Sequence, residues 1–470
     1  MRGRFPDVRF PGLRRLRPIL LVAASAALLG PAPARPQTGA EAPAADPAAL
    51  AAAWDRERLP LPPAPLLTHE DVVAQVEALA AQMPGFLSVE RIGASVEGRS
   101  IHALRAGHGA LGVLLWSQMH GDEASATPAL LDLVAWLHRH RDEPIPRRLL
   151  DRLTLHVVPM LNPDGAARHE RRNAQGIDIN RDALRLVTPE GRALKALRDR
   201  VRPALGFNLH NQSWRTSVGR PPQPASFSLL SVAFDEARTE NEGRRLTKRV
   251  CAVIRDALEP FAAGRIGRYD DEFEVRAFGD NVTRWGTPVV LIETGPWPGP
   301  DPDLALTRLN FVALVAALDA VASGRVHGAD PARYETLPVN ESRLLHTLIT
   351  NATIVPGTGV PPFLGDVGIA ASRTVSTAGG RRQMGLSARI EDIGDLRVYG
   401  ALETIDATGL ALAPLVDSTV APGAEIDLPL RVPDGAPTIR VGQRAHLVLA
   451  EPAGDGKYRV RRVIRIGDAP

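Results

Sequence analysis

The sequence predicts an α/β protein, a sheet covered by helices on both faces, with a small β-rich domain at its C-terminal end. Three observations predict this. From about residue 68 to 325, short apolar runs that read as strands alternate with longer stretches of helical periodicity. Several of these runs, at 113–116, 153–160, 204–209 and 289–292, are close to continuously apolar, as strands buried on both faces are. After about residue 328 glycine and proline become frequent, helical periodicity fades, and short strand-like runs follow at 344–349, 368–371, 445–449 and 458–466. With 470 residues, 44% hydrophobic and 23% charged, the chain can bury a sizeable core and hold two or three domains. That excludes a disulfide-stapled mini-protein, a collagen-like repeat and a fully disordered chain.

Residues 1–34 come first. They hold six arginines and one acid, with a twelve-residue apolar stretch at 19–30 and small residues at Ala32 and Ala34. The stretch is too short to span a bilayer, which needs roughly 20 residues. The order basic, apolar, small is that of a secretory signal peptide cut after Ala34. It predicts a periplasmic or secreted protein with no membrane span once the signal is removed. The rest of the chain carries 50 basic and 52 acidic residues, so the formal charge of +3 belongs to the leader. Charge therefore gives no reason to expect a nucleic-acid partner. Cys251 is the only cysteine, which excludes an intrachain disulfide and a cysteine-built zinc site.

Residues 35–67, rich in Ala and Pro, read as a linker or extended strap. Thr68 then caps a helix whose Val72, Val73, Val76, Leu79 and Ala80 share one apolar face, stopped by Pro84-Gly85. Strands are expected around 87–92, 101–104 and 113–116, a helix at about 124–138 and a strand at 153–160. Helix-like runs cover 189–202, 236–260 and 302–322, with strands at 204–209 and 289–292. The domain reading is thus a signal at 1–34, a linker at 35–67, an α/β domain at 68–325 and a β-rich accessory domain at 330–470.

The chemistry lies at strand ends. The run 113–116 leads into Ser117-Gln-Met-His120-Gly-Asp-Glu123, where a turn can point an imidazole and a carboxylate at one ion. Gly206-Phe-Asn-Leu-His210 places another histidine at the end of a buried strand. Two histidines and one glutamate make a common catalytic zinc set that leaves a position open for water. Val289-Val-Leu-Ile-Glu293 ends a third apolar run in a carboxylate, which must be paired or working there. Singly, each residue also fits a structural role. Asn162-Pro-Asp-Gly165 reads as a turn. No phosphate-binding glycine loop and no G-x-S-x-G elbow occur.

Taken together, His120-Gly-Asp-Glu123, Asn162-Pro-Asp-Gly165, Arg171-Arg-Asn-Ala-Gln-Gly-Ile-Asp178-Ile-Asn180-Arg181, His210 and Ile292-Glu293 follow one another in an order that resembles the M14 zinc metallocarboxypeptidases, the carboxypeptidase A-like family. Ile92-Gly-Ala-Ser95-Val-Glu-Gly-Arg99-Ser-Ile101 resembles the stretch that precedes the metal motif in that family. The resemblance covers about residues 68–325 and leaves the tail beyond 330 uncovered. It implies a mixed central sheet and a Zn²⁺ ion held by His120, Glu123 and His210. It further implies Glu293 as general base, Arg171 as the group that polarises the scissile carbonyl, and Asp178 as the carboxylate orienting the first zinc histidine. Asn180 and Arg181 match the pair that grips the substrate's terminal carboxylate. The implied substrate is a peptide, or peptide-like molecule, with a free C-terminal carboxylate.

Two other readings use the same residues: a zinc amidohydrolase acting on acyl-amino acids or cell-wall peptides, and a non-catalytic peptide-binding module. Glu293 argues against the last, because a pure binder needs no base. The chain also departs from the family. Tyr269, the only tyrosine between 68 and 325, stands for the tyrosine that caps bound peptide in a context that matches poorly. Asn208 replaces the usual acid two residues before His210, and Asn211-Gln212 replace a small hydroxyl residue and an aromatic. Trp297, held between prolines just after Glu293, is expected to line the cleft.

Overall fold

The computed structural model of the protein describes residues 44–378 and 381–467. The signal segment expected at 1–34 lies outside these residues. Helices α1 to α9 span Pro47–Glu57, His69–Gln82, Ala126–Arg139, Pro144–Arg152, Pro163–Arg168, Pro189–Val201, Glu242–Ala262, Phe278–Arg284 and Pro302–Ser323. The first sheet holds β1 Ser88–Ala94, β2 Ser100–Ala106, β3 Leu111–Ser117, β4 Leu153–Val158, β5 Leu205–Asn211, β6 Phe227–Ser231, β7 Ile266–Arg268 and β8 Val289–Thr294. Its order is β1-β2-β4-β3-β5-β8-β6-β7. The centre, β4-β3-β5-β8, is parallel and so is the edge pair β6-β7, while β1-β2, β2-β4 and β8-β6 are antiparallel. The α/β class with a mixed sheet is therefore what the chain adopts.

Alternation along the central strands sends residues to two cores. Val113, Leu115, Phe207, Leu209, Val290 and Ile292 face the helices α3, α7 and α9. Leu114, Trp116, Val289 and Leu291 face α6 and α8 on the other side. By the same period-two rule, His210 and Glu293 point to the α6–α8 side. Helix α9 is long and apolar enough to cross a membrane, but most of it is buried inside the protein, as befits a core helix.

The stretch read as an extended linker differs from that expectation where it is described. Residues 47–57 form α1, with Asp46 capping its start and Leu50, Ala51 and Trp54 buried. Its alanines favour helix, and Asp132 of α3 pins it in place, accepting from Trp54 Nε1 at 2.7 Å and Leu59 N at 2.8 Å. Helix α4 lies in a stretch without an expected element. Pro144 starts it, and only Pro146, Leu149 and Leu150 are buried, so its apolar face is too narrow to read.

Beyond α9 a second sheet contains β9 Leu344–Ile354, β10 Phe363–Ala378, β11 Arg381–Gly394, β12 Gly400–Asp406, β13 Ala411–Pro414, β14 Glu425–Ile426, β15 His446–Gly454 and β16 Lys457–Arg465. Its order is β11-β10-β9-β13-β15-β16-β14, with β12 pairing β9. The hairpin β10–β11 is far longer than the 368–371 run. Its outer half alternates small polar and charged residues, such as Ser372, Arg373, Thr374 and Ser376, and so shows no apolar stripe. This hairpin leans on the first sheet's loops. Arg382 donates to the carbonyls of Leu67, Ala166 and Ala167, Arg373 pairs with Asp303, and Glu391 pairs with Arg215.

Burial pushes the Asp132 carboxyl up to about 6, against the pull of its two donors. The folded chain then holds this proton more tightly than the unfolded chain. The group's stabilising contribution is full below about pH 4 and falls away as pH rises through 6. Asp132→Asn cannot ionise. Denaturant melts at pH 4 and pH 7 should show wild type losing about 2 kcal/mol relative to this variant over that span. An unchanged difference would contradict the buried-carboxyl account.

Candidate metal centre

The carboxyl ends of the parallel strands β3, β5 and β8 open on one point, where ligands of open α/β sheets collect. After β3 the chain turns through Gln118 with φ 52°, a left-handed conformation held by its own side chain. Gln118 Nε2 donates to Gly121 O at 2.9 Å, and its Oε1 accepts from Thr127 Oγ1 at 2.9 Å. The turn aims His120 and Glu123 the same way. Gly121 is required by close approach, since a Cβ there would lie 2.0 Å from the backbone carbon of Gly165. The stretch read as a turn at 162–165 thus starts α5 and forms the floor under the metal motif. Asn162 caps this helix, and buried Asp164 accepts from Ser95 Oγ, Glu97 N and Arg99 Nη1. Asp164 thereby ties the 92–101 stretch to the same floor.

His210 is the sixth residue of β5, and its register partner on parallel β8 is Glu293. His120, Glu123 and His210 are all buried, and their ligand atoms fall within 4.8 Å of one another. His120 Nδ1 lies 2.8 Å from Glu123 Oε1, His210 Nδ1 lies 2.7 Å from Glu123 Oε2, and the two Nδ1 atoms are 3.1 Å apart. Asp178 Oδ1 sits 3.1 Å from His120 Nε2, so that nitrogen donates to the carboxylate and Nδ1 presents its lone pair. Lone pairs of two imidazoles and a carboxylate crowding one point repel each other unless a cation lies among them. The donor set therefore fits zinc, with two nitrogens and one carboxylate.

Electrostatics sorts the buried acids. Burial disfavours a charged His120, yet Glu123 and Asp178 outweigh it and raise its pKa to about 9, so a metal ion binding at Nδ1 displaces a proton to reach the lone pair. His210 is pushed down, chiefly by burial. Burial likewise opposes ionisation of Glu123, but the two imidazoles hold it below the usual carboxylate range. Asp178, also opposed by burial, is kept low by His120 and Arg171. Glu293 meets no such partner. Burial, then the charge of Glu123, holds it well above the carboxylate range, and its Oε2 has no hydrogen-bond partner among the described residues.

Arg171 reaches the same point from the α5 side, with Nε 3.0 Å from Asp178 Oδ2 and Nη1 3.2 Å from Glu123 Oε1. Asn180 follows Asp178, and its Oδ1 accepts from Phe278 N at 2.8 Å, leaving the amide NH₂ free to donate. Arg181 is half-buried, with Nε 3.2 Å from Glu274 Oε2. Tyr269 follows β7. Its side chain is exposed, and the charge of Glu293 with partial burial pushes its hydroxyl up to about 12.

Sequence reading missed the supports around these residues. Asn211 N donates to Glu123 Oε2 at 3.0 Å, and Asn211 Nδ2 donates to Ser125 Oγ at 2.8 Å. Gln212 bonds Ala225 O, Ser228 Oγ and Asn340 Nδ2. The substitutions noted after His210 thus tie the cleft wall to β6 and to the segment before β9. The one available signal was their departure from the resemblance. A cavity of about 530 Å³ opens beside Glu123 and Arg171 and runs past Asn211 to Trp214 and to Ala371 and Arg373 of β10. Trp297 lines a second cavity beyond it.

The zinc carboxypeptidase family model, peptidase M14, matches residues 72–222. Carboxypeptidase SOL1 of Arabidopsis thaliana is 34% identical over 104 residues, 20% of this chain and 21% of that protein. The carboxypeptidase N catalytic chain of Homo sapiens is 31% identical over 136 residues, 24% of this chain and 30% of its own. Probable carboxypeptidase 2 of Trichophyton verrucosum is 28% identical over 200 residues, 43% and 33% of the two chains. The chain thus spans a fifth to a third of these relatives' lengths. Among solved structures, a metallo-carboxypeptidase of Pseudomonas aeruginosa in complex with (2-guanidinoethylmercapto)succinic acid aligns at 22% identity and TM-score 0.44, covering 54% of this chain and 69% of that one. Residues 72–222, which carry His120, Glu123 and His210, thus match the zinc carboxypeptidase family, peptidase M14.

Proposed function

We propose that the protein is an exported zinc carboxypeptidase that hydrolyses the C-terminal peptide bond, with Glu293 as general base. One observation carries the reading: three convergent side chains able to bind a metal lie beside a buried carboxylate whose Oε2 has no hydrogen-bond partner among the described residues. A zinc ion held by His120, Glu123 and His210 would polarise the scissile carbonyl and lower the pKa of water to about 7. Glu293, in its ionised form, takes a proton from the attacking water at Oε2 and delivers it to the leaving amine nitrogen, and its raised proton affinity favours the first of these transfers. Arg171, anchored through Nε by Asp178, offers guanidinium N–H donors to the carbonyl oxygen as it gains charge.

Asn180 through its amide and Arg181 through its planar fork hold the terminal carboxylate, Arg181 exchanging Glu274 for the substrate. Tyr269, kept protonated by the neighbouring acids, donates its hydroxyl to the bound peptide. Export to the periplasm or outside the cell rests on the signal pattern of residues 1–34. We keep the division into a catalytic domain at 68–325 and an accessory domain at 330–470 as part of this reading.

Purified protein should hold one zinc per chain by elemental analysis, and His210→Ala should hold none. Glu293→Gln should keep its zinc while kcat falls by about 10²- to 10⁴-fold. Unchanged hydrolysis in that variant would sink the proposed base. Asp178→Ala should weaken zinc binding by about 10- to 100-fold in chelator competition, because His120 loses the group that fixes its tautomer. A panel of free peptides and acylated amino acids tests the substrate. Turnover of the acylated amino acids alone would replace the carboxypeptidase reading with an amidohydrolase.

A further inference from the structure

The cavity that begins at Glu123 and Arg171 is lined by none of Asn180, Arg181 and Tyr269. It leaves the metal centre on the other side, past Ser213 and Trp214, and reaches β10 of the second sheet. There it shares Trp214, Arg215, Ala370, Ala371 and Arg373 with a second cavity of about 700 Å³. That volume lies within the roughly 300–1,000 Å³ of small-molecule sites. Its walls come from both sheets. Trp214 and Trp297 belong to loops of the first, and Leu344, Leu386 and Leu402 belong to β9, β11 and β12 of the second.

The charges in this second cavity are already answered by the protein. Arg373 stacks over the Trp214 ring at 4.0 Å and pairs with Asp303. Arg215 pairs with Glu391, and Glu403 pairs with Arg462. His346 faces Thr347 Oγ1 at 2.9 Å, and burial favours its neutral form. What is left to meet a ligand is two indole rings, each with an arginine over one face, the side chains of Leu386 and Leu402, and the exposed Met384 and Gln383, the one uncharged polar side chain among them. Such a lining rewards an uncharged apolar or aromatic group and supplies no counter-charge to an ionic one.

We propose that the second sheet forms part of the substrate cleft, and that the Trp214–Trp297 cavity binds apolar or aromatic side chains on the amino side of the scissile bond. The direction follows from the proposed function, on which this inference rests. If Asn180 and Arg181 hold the terminal carboxylate, the chain upstream of the cleaved bond must leave on the far side of the metal. The continuous cavity on that side leads to the two tryptophans.

The test uses peptides that share their last two residues and vary the third and fourth from the end among Gly, Glu, Lys, Leu and Phe. With zinc-loaded wild type, kcat/KM for Phe or Leu should exceed that for Gly on the order of 10- to 100-fold, with Glu and Lys no better than Gly. Leu402→Arg, checked for zinc content and melting temperature, should bring the Phe-to-Gly ratio close to one, and Leu402→Met should keep it. Calorimetric binding of the same peptides to zinc-loaded Glu293→Gln should follow the same order. A flat dependence in wild type, in rates and in binding, overturns the inference while leaving the carboxypeptidase reading intact. Apolar-selective binding without release of any terminal residue overturns the proposed reaction but not the site.

Discussion

Two carboxylates, Glu123 and Glu293, are buried within each other's field, and the rest of the centre answers to that constraint. Two like charges out of water are costly together, so each must find positive charge or stay protonated. The protein gives them opposite fates. Glu123 lies between two imidazoles and stays ionised. Glu293, one strand away and directly opposite His210 in register, has no hydrogen-bond partner for Oε2 among the described residues, and its affinity for a proton is raised. A shift of one residue between β5 and β8 would turn one of the pair to the opposite face of the sheet. The pairing of two apolar strands therefore sets the acid–base behaviour of the site.

Asp178 links this centre to the rest of the proposed machinery. One oxygen faces His120 Nε2 and also accepts from Asn180 N, while the other meets Arg171. A single carboxylate thus orients a metal ligand, an arginine and the start of the Asn180–Arg181 turn. Asp164 does comparable work one layer below, gathering Ser95, Glu97 and Arg99 against the loop that packs on Gly121. These acids hold geometry, and their hydrogen bonds explain why motifs far apart in the chain occur as an ordered set.

Much of this was legible from the sequence. Apolar strand runs ending in His210 and Glu293 are readable because a charge after such a run must have an employer, and the metal motif is local. The supports were less visible. The left-handed turn at Gln118 and the bonds of Gln212 to Asn340 depend on contacts that leave no periodic trace. Helix α1 was hidden by prolines and alanines that also suit an extended strap, and it is the distant Asp132 that selects the helix's docking. The β10–β11 hairpin was hidden for the opposite reason. Its residues pair by backbone, so small polar and charged side chains serve as well as apolar ones.

That hairpin carries a consequence for how such a protein diversifies. The residues proposed to hold the metal and move protons sit on β5 and β8 and in the turn after β3, where any change disturbs a packed interior. The hairpin surface that looks onto the same cleft is built of backbone pairs with tolerant side chains. Exposed side chains there can change at little expense to folding, while altering which substrates the cleft accepts. Selection for a new diet thus has a part of the molecule on which to act while the chemistry is inherited unaltered.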